Sequence, residues 1–184
     1  MEASTPRGGV DYGAALDISR GWLQAAQKSG NKLMIIGNGG SAGVASHLAI
    51  DFWKNGGVRA MAFNDGALLT CISNDISYEE VFSTPIRQFA EPGDIVACIS
   101  SSGNSLNIRN GAAAAKELGC HVMTLSGFEP DNPLRTMGDL NFYVPSHSYG
   151  FVETLHQLVL HSVLDAKMYL DDSRDVFVKN NEMG

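Results

Sequence analysis

The hydrophobic residues of this chain are concentrated in short, almost uninterrupted runs, and each run ends in small or turn-forming residues. Strands buried on both faces of a parallel sheet have this pattern, whereas strands of a half-exposed sheet alternate between apolar and polar residues. Between these runs the pattern changes to that of helices. The predicted strands are 32–37, 58–63, 94–100, 121–127 and 140–145, and the predicted helices are 10–29, 41–54, 79–90, 105–118 and 150–170.

Strands that are separated by single helices predict βαβ units. The fold class we expect is therefore a doubly wound α/β domain, a three-layer sandwich with a five-stranded parallel sheet. A chain of 184 residues has the length of one domain, so we expect a single domain over residues 1–184 with its core at about 10–170. The stretch 171–184 is polar, lacks helical periodicity and is predicted to be a tail.

Composition narrows the class of protein. A chain with 44% hydrophobic and 18% charged residues is typical of a soluble globular protein with a sizeable core. The net charge of −7, without a dense Lys/Arg stripe, argues against direct binding of nucleic acid. The N-terminal residues lack the apolar core of a signal peptide, and no apolar run approaches the ~20 residues of a membrane span. Cys71, Cys98 and Cys120 lie in apolar runs without metal-type spacing, so we expect buried free thiols in a cytoplasmic protein.

Two strand-to-helix turns are rich in small and hydroxyl-bearing residues. The sequence GNGGS at 37–41 follows the first predicted strand, and SSSGNS at 100–105 follows the third. The first N–H groups of a helix have no intrahelical partner, and the helix dipole adds partial positive charge, so both turns suit an anion. The serine hydroxyls of the second turn add a dense set of donors. The pattern predicts a binding site for a dianionic phosphate group.

A purely structural alternative exists for these turns, in which Ser41 and Ser105 are helix N-caps and the glycines form tight turns. Neither turn is a nucleotide-binding motif. The dinucleotide fingerprint needs G-x-G-x-x-G after the strand, and a P-loop needs Gly-Lys-Ser/Thr, and both are missing here. The sequence therefore implies no nucleotide.

Taken with SND at 73–75 and ETLHQLVLH at 153–161, the two turns make the chain resemble the sugar isomerase (SIS) domain family, from the first helix to about residue 170. Within it the chain is most similar to the phosphoheptose isomerases, which interconvert sedoheptulose 7-phosphate and D-glycero-D-manno-heptose 7-phosphate. The resemblance implies the flavodoxin-like SIS fold and an aldose–ketose isomerase of carbohydrate metabolism. It also implies a homotetramer, with sites at subunit interfaces and the N- and C-terminal helices packing between subunits.

The resemblance further implies which residues bind the substrate. The serine loop, residues 100–105, would hold the sugar phosphate. The first turn would line the sugar site, and the SND segment would lie near its far end. The implied substrate-binding residues are Asn38, Gly39, Gly40, Ser41, Asn74, Asp75, Ser100, Ser101, Ser102, Asn104 and Ser105.

Moving a proton between adjacent carbons of a sugar needs a base near a C–H bond and an acid near the carbonyl, commonly Glu and His. His47 and Asp51 share one face of a helix, and Glu153 and His161 lie in a polar sector of an apolar helix. The matching residues of phosphoheptose isomerases are His, Glu, Gln and His around a zinc ion. The resemblance thus implies Asp51, Glu153 and His161 as catalytic residues, and one Zn²⁺ bound by His47, Asp51, Glu153 and His161.

Two of these four residues differ from the family. The carboxylate of Asp51 reaches ~1.5 Å less far than that of the family's Glu, and Glu153 replaces a neutral amide. The segment before Glu153 also looks one residue short and lacks an Asp of the family. One interpretation is that two carboxylates and two imidazoles still bind Zn²⁺ and support isomerisation. The alternative is a non-catalytic sugar-phosphate-binding or regulatory protein, such as a replication-initiation regulator that binds the initiator protein.

Overall fold

The computed structural model describes residues 1–170, and the predicted tail lies outside the described residues. The parallel strands lie where the apolar runs predict them. They are β3 (Lys32–Gly37), β4 (Arg59–Ala62), β5 (Ile95–Ser100), β6 (His121–Gly127) and β7 (Leu140–Val144). The helices are α1 (Tyr12–Ser29), α2 (Gly40–Lys54), α3 (Gly66–Asp75), α4 (Ser83–Phe89), α5 (Leu106–Glu117) and α6 (Tyr149–Leu170).

The sheet has two strands more than predicted. An N-terminal hairpin of β1 (Glu2–Thr5) and β2 (Gly8–Val10) extends the sheet beyond β7, and β1 pairs with β7 in the antiparallel direction. The prediction of a five-stranded, wholly parallel sheet is therefore wrong at this edge. The hairpin has no continuous apolar run because it lies at the sheet edge, where backbone hydrogen bonds to β7 hold the strand.

The region between β4 and β5 also differs from the prediction. The single helix expected at 79–90 is instead a short 3-10 helix, Tyr78–Glu80, followed by α4. The preceding helix α3 was not predicted. None of its residues is buried, and its apolar residues Leu68, Leu69 and Ile72 are only partly covered by the core, so its helical signal in the sequence is weak. Its start is set locally, because the Asp65 side chain accepts hydrogen bonds from the N–H groups of Ala67 and Leu68.

Helices cover both faces of the sheet, as the continuous apolar strands require. On β3, Leu33 and Ile35 face a core formed with α1, α2 and α6, whereas Met34 and Ile36 face the core that includes α4 and α5. The three-layer α/β sandwich is confirmed. Among the described residues, each helix is too short or too polar to cross a membrane.

The cysteines agree with the prediction in part. Cys98 and Cys120 are buried free thiols, and burial raises the pKa of Cys120 to about 11. Cys71 is exposed, contrary to the expectation, because it lies on α3, which has no buried residues. Its apolar sequence neighbours therefore do not place it in the core.

The order of strands in the sheet decides where a ligand can bind. The order is β2-β1-β7-β6-β5-β3-β4, so the chain leaves β3 toward β4 on one side and later adds β5 on the other. Open α/β sheets bind ligands at such a switch point, outside the carboxyl ends of the strands. The two small-residue turns follow β3 and β5 and therefore lie next to each other at this point.

Candidate functional site

A pocket of about 170 Å³ opens at the switch point, between the N-termini of α2 and α5 and the first turns of α6. We call it the serine pocket. It is lined by Asn38, Ser41, Ile99, Ser100, Ser101, Ser102, Ser105, Tyr149 and Glu153. Two helix N-termini and several hydroxyls thus converge on one concave site, which suits an anionic group.

The serine hydroxyls of this pocket are not used as helix caps. The N-cap of α2 is Gly39 and not Ser41, and Ser105 is the N-cap of α5 but its side chain makes no capping hydrogen bond. The Ser101 hydroxyl is buried and makes no hydrogen bond within the described residues. A buried polar group without a partner is costly, so the Ser101 hydroxyl is not used to hold local structure and is available to a ligand.

The serine loop is held in shape by the connection that follows β6. Gly103 has a φ of +64°, a conformation that favours glycine, and a Cβ at this position would overlap the Asn132 side chain. The Leu134 N–H donates to the Gly103 carbonyl at 3.2 Å. Asn132 is itself fixed, since its Nδ2 donates to the Gly127 carbonyl at 3.2 Å. Sequence reasoning missed Asn132, since its partners lie in other turns of the fold.

Asn38 is also held by residues that sequence reasoning missed. The side-chain amides of Asn38 and Asn107 donate to each other's oxygens, both at 2.9 Å, and the Tyr78 hydroxyl donates to Asn38 Oδ1 at 3.1 Å. Asn107 is buried in the first turn of α5. The Asn38 amide is thereby fixed at the pocket wall. The only sign of this in the sequence is the asparagine two residues after the serine loop.

Other residues implied by the resemblance lie outside this pocket. Asn74 and Asp75 are exposed at the end of α3, where the Asn74 amide donates to Asp75 Oδ1 at 2.8 Å. Asn104 is exposed in the serine loop, and its N–H donates to Ser102 Oγ at 3.2 Å. Asn74 and Asp75 therefore do not line the serine pocket, and Asn104 contacts Ser102 without lining the pocket itself.

A second group of polar side chains lies where α2 meets α6. His47, Asp51 and His161 each offer a ligand atom, and these atoms all lie within 4.8 Å of one another. His47 Nε2 is 3.3 Å from Asp51 Oδ2, and the rings of His47 and His161 have centroids 5.4 Å apart. We call these three residues the His/Asp cluster. Two imidazoles and one carboxylate form a donor set that zinc sites use.

Glu153, which the resemblance implied as a fourth ligand, is not in the His/Asp cluster. It lines the serine pocket next to the N-terminus of α2, where a Cβ at Gly40 would be only 2.7 Å from Glu153 Cδ. Eight residues of helix separate it from His161, about 12 Å along the axis. The expected set of four ligands thus divides into a cluster of three and a separate carboxylate at the serine pocket.

His156 lies on α6 between Glu153 and His161 and has a structural role. It is fully buried, with Nε2 3.1 Å from the Ser126 carbonyl at the carboxyl end of β6. Burial lowers its pKa to about 4, an effect that the hydrogen bond to Ser126 only partly opposes. The imidazole is therefore neutral near pH 7, donates to Ser126 and fixes α6 to the sheet.

Comparison with known proteins agrees with this fold. The SIS domain family matches residues 15–127. The probable phosphoheptose isomerase of Thermoplasma acidophilum is 36% identical over 77% of this chain and 80% of its own length. The phosphoheptose isomerase of Pelobacter propionicus is 36% identical over 78% of both chains.

The solved structures include relatives with the same fold. The phosphoheptose isomerase of Neisseria gonorrhoeae superposes with a TM-score of 0.78 and 29% identity, covering 84% of this chain and 86% of that one. That of Francisella tularensis superposes with a TM-score of 0.77 and 25% identity, covering 84% of both. The chain therefore belongs to the SIS domain family, and within it is related to the phosphoheptose isomerases.

Proposed function

We propose that this protein interconverts sedoheptulose 7-phosphate and D-glycero-D-manno-heptose 7-phosphate by acid–base proton transfer. The observation that carries the proposal is the serine pocket, where the Ser101 hydroxyl lacks a partner among the described residues and the Ser105 hydroxyl does not cap its helix. Free donors at two helix N-termini suit a dianionic phosphate ester. Helices α2 and α6, which border the pocket, carry the carboxylates and imidazoles that isomerisation needs.

The names of the relatives support the interpretation that this protein is an enzyme. They are named phosphoheptose isomerase and match three quarters or more of this chain, so the chain is an isomerase. A non-catalytic sugar-phosphate-binding protein, or a replication-initiation regulator, is not favoured by these matches. The substitutions at residues 51 and 153 are then changes within an active site and need a catalytic explanation.

We assign the general base to Glu153. Its carboxylate lines the serine pocket, so it faces the ligand whose phosphate the serines hold. The Asp51 carboxylate, in contrast, lies 3.3 Å from His47 Nε2 inside the His/Asp cluster. Glu153 would remove a proton from one carbon of the open-chain sugar and return it to the adjacent carbon, while the proton of the neighbouring hydroxyl passes to the former carbonyl oxygen. The carboxylate that is longer by one methylene and nearer the pocket thus performs the proton transfer.

The His/Asp cluster is assigned to metal binding. His47, Asp51 and His161 would hold one Zn²⁺, since three protein ligands with an open position are typical of catalytic zinc sites. When bound, the ion would polarise the sugar carbonyl. Asp51 and His161, which the resemblance implied as an acid–base pair, are thereby ligands, and Asp51 also orients the His47 ring.

Three variants test whether Glu153 is the base and the His/Asp cluster is a separate zinc site. Glu153→Gln is expected to lower kcat by about 10²–10⁴-fold on sedoheptulose 7-phosphate while bound zinc stays unchanged. His161→Ala is expected to lose bound zinc, and the zinc content of the purified protein is measured by elemental mass spectrometry. The double variant Asp51→Glu, Glu153→Gln restores the residues of the family that the chain resembles, and it should recover activity.

Asp165→Asn is the matched control for these variants, because Asp165 is an exposed carboxylate on the same helix and lies outside both groups. It should leave kcat and zinc content unchanged. Full activity of Glu153→Gln would refute the base assignment, and loss of zinc in that variant would return Glu153 to the ligand set. A wild-type protein that does not turn over sedoheptulose 7-phosphate would overturn the proposed function itself.

We also propose that the protein is a homotetramer. Three large apolar side chains, Ile50, Trp53 and Leu158, are each at least half exposed on α2 and α6, the helices that carry the His/Asp cluster. Such side chains next to a functional group favour a subunit interface. Sedimentation velocity tests this, since a species of 19.7 kDa would be the single chain and would contradict it.

A further inference from the structure

An aromatic side chain forms part of the wall of the serine pocket. Tyr149, the first residue of α6, lines the pocket together with the serines and Glu153, and 63% of its surface is exposed. Its ring meets the ring of Phe128 edge to face, with centroids 4.8 Å apart and planes at 85°. This is a favourable geometry for aromatic pairs, so Tyr149 is oriented although it is exposed.

Phe128 supports Tyr149 from an unusual backbone conformation. Its φ is +58°, which is unfavourable for a bulky residue that is not glycine. Hydrogen bonds hold it there, because its N–H donates to the Ser146 carbonyl at 3.1 Å and its carbonyl accepts from the Tyr143 hydroxyl at 2.8 Å. The His147 ring also stacks on Phe128, with centroids 5.9 Å apart. Strained residues of this kind cluster at functional sites.

The chemistry of Tyr149 differs from that of the rest of the pocket. The serines offer hydroxyl donors and Glu153 offers a carboxylate, whereas Tyr149 offers a large apolar face with one hydroxyl at its edge. A ring whose orientation is already fixed provides contact area at a low cost in conformational entropy. Because the ring and the serines line the same pocket, a ligand whose phosphate contacts the serines would bring the adjoining carbons against the ring.

We propose that Tyr149 is a specificity-determining residue, whose ring packs against the carbon chain next to the phosphate ester of the substrate. Phe128 is the positioning residue that holds this ring in place. The inference rests on the proposed function, because it assumes that the serine pocket binds a sugar phosphate. It adds that the protein distinguishes a phosphorylated carbon chain from phosphate alone through this ring.

The experiment is isothermal titration of the full-length protein with sedoheptulose 7-phosphate and, separately, with inorganic phosphate. Tyr149→Ala is expected to weaken binding of the sugar phosphate by roughly five- to tenfold and binding of phosphate by less than about twofold. Tyr149→Phe keeps the ring and should stay close to wild type. Phe128→Gly removes the supporting ring at a φ that glycine tolerates, so the variant should fold. It should bind the sugar phosphate more weakly and bind inorganic phosphate as wild type does.

Phe151→Ala is the matched control, because Phe151 is an equally exposed aromatic residue two positions further along α6 and does not line the pocket. It should leave both affinities unchanged. An unchanged affinity of Tyr149→Ala, equal losses for both ligands, or a Tyr149→Phe variant as weak as Tyr149→Ala would each overturn the inference. If wild type binds inorganic phosphate but not sedoheptulose 7-phosphate, the proposed function fails together with it.

Discussion

Replacing Ser101 with alanine is expected to stabilise the free protein and weaken its ligand complex. The Ser101 side chain is buried, lines the serine pocket and makes no hydrogen bond within the described residues. The free protein thus carries the cost of a buried hydroxyl without a partner. Bound phosphate would accept a hydrogen bond from that hydroxyl and remove the cost.

The magnitudes follow from the two states. A buried unsatisfied hydroxyl costs about 1–3 kcal/mol, so taking the lower end, Ser101→Ala should stabilise the free protein by about 1 kcal/mol. For a chain of this length that corresponds to a rise in Tm of about 2–4 °C. A hydrogen bond to a charged group contributes about 1.5–3 kcal/mol, so affinity for the phosphate ester should fall at least about tenfold.

Thermal unfolding measures both effects in one assay. The Tm of wild type and Ser101→Ala is recorded without ligand and over a concentration series of sedoheptulose 7-phosphate, which stabilises the folded state in proportion to its affinity. Ser126→Ala is the matched control. Ser126 is buried on the neighbouring strand and its hydroxyl accepts from Asn141 Nδ2 at 3.2 Å, so its loss should lower the Tm and leave the affinity unchanged.

Ser101→Ala is thus expected to raise the Tm of the free protein and to lower its affinity for the sugar phosphate. These two effects are opposite in sign, so the prediction is easy to refute. A variant that loses stability and binds the sugar phosphate as tightly as wild type would refute it. That result would mean that the Ser101 hydroxyl contributes to the fold and that the serine loop does not hold the ligand through this residue.

Two further predictions concern buried titratable groups. Burial alone would raise the pKa of Asp94, but hydrogen bonds, chiefly from Lys32, lower it below its usual value. Asp94→Asn should cost about 3–5 kcal/mol in chemical denaturation, because the buried Lys32 ammonium loses its carboxylate partner at 2.6 Å and keeps only the exposed Glu91 carboxylate at 3.8 Å. Glu117→Gln, which removes the exposed ion pair with Arg87, is the control and should change the free energy of unfolding little. Equal losses of stability in the two variants would contradict the prediction. The pKa of His156 falls from about 6.5 to about 4 on folding, so the unfolded chain binds the proton first. The free energy of unfolding should therefore decrease by about 3 kcal/mol as pH falls from about 6.5 to about 4, relative to His156→Gln, and parallel pH profiles of the two proteins would contradict a buried neutral imidazole.

The central strands were predictable because their residues are buried on both faces, and the sequence then carries a continuous apolar signal. Strand β6, His121–Gly127, was predicted with both of its ends correct. Elements without a buried face gave no such signal. The N-terminal hairpin is held by backbone hydrogen bonds to β7, and the apolar residues of α3 are only partly buried, so neither element has a continuous apolar run.

The two small-residue turns at the serine pocket could be predicted for a local reason. The N–H groups at a helix N-terminus and the small residues before it are neighbours in sequence, so their chemistry is visible without the fold. The partners that shape these turns are not local. Asn107 holds Asn38 across 69 positions, and Asn132 packs against Gly103 from the connection after β6.

The sequence by itself determined the layers, the central strands and the two small-residue turns, since each depends on burial pattern or on adjacent residues. Only the tertiary structure decided how the polar residues of α6 are divided. Glu153 and His161 share a helix, yet one lines the serine pocket and the other joins His47 and Asp51. A helix advances about 1.5 Å per residue, so eight residues separate two sites, and which site each side chain reaches depends on how α6 packs against α2.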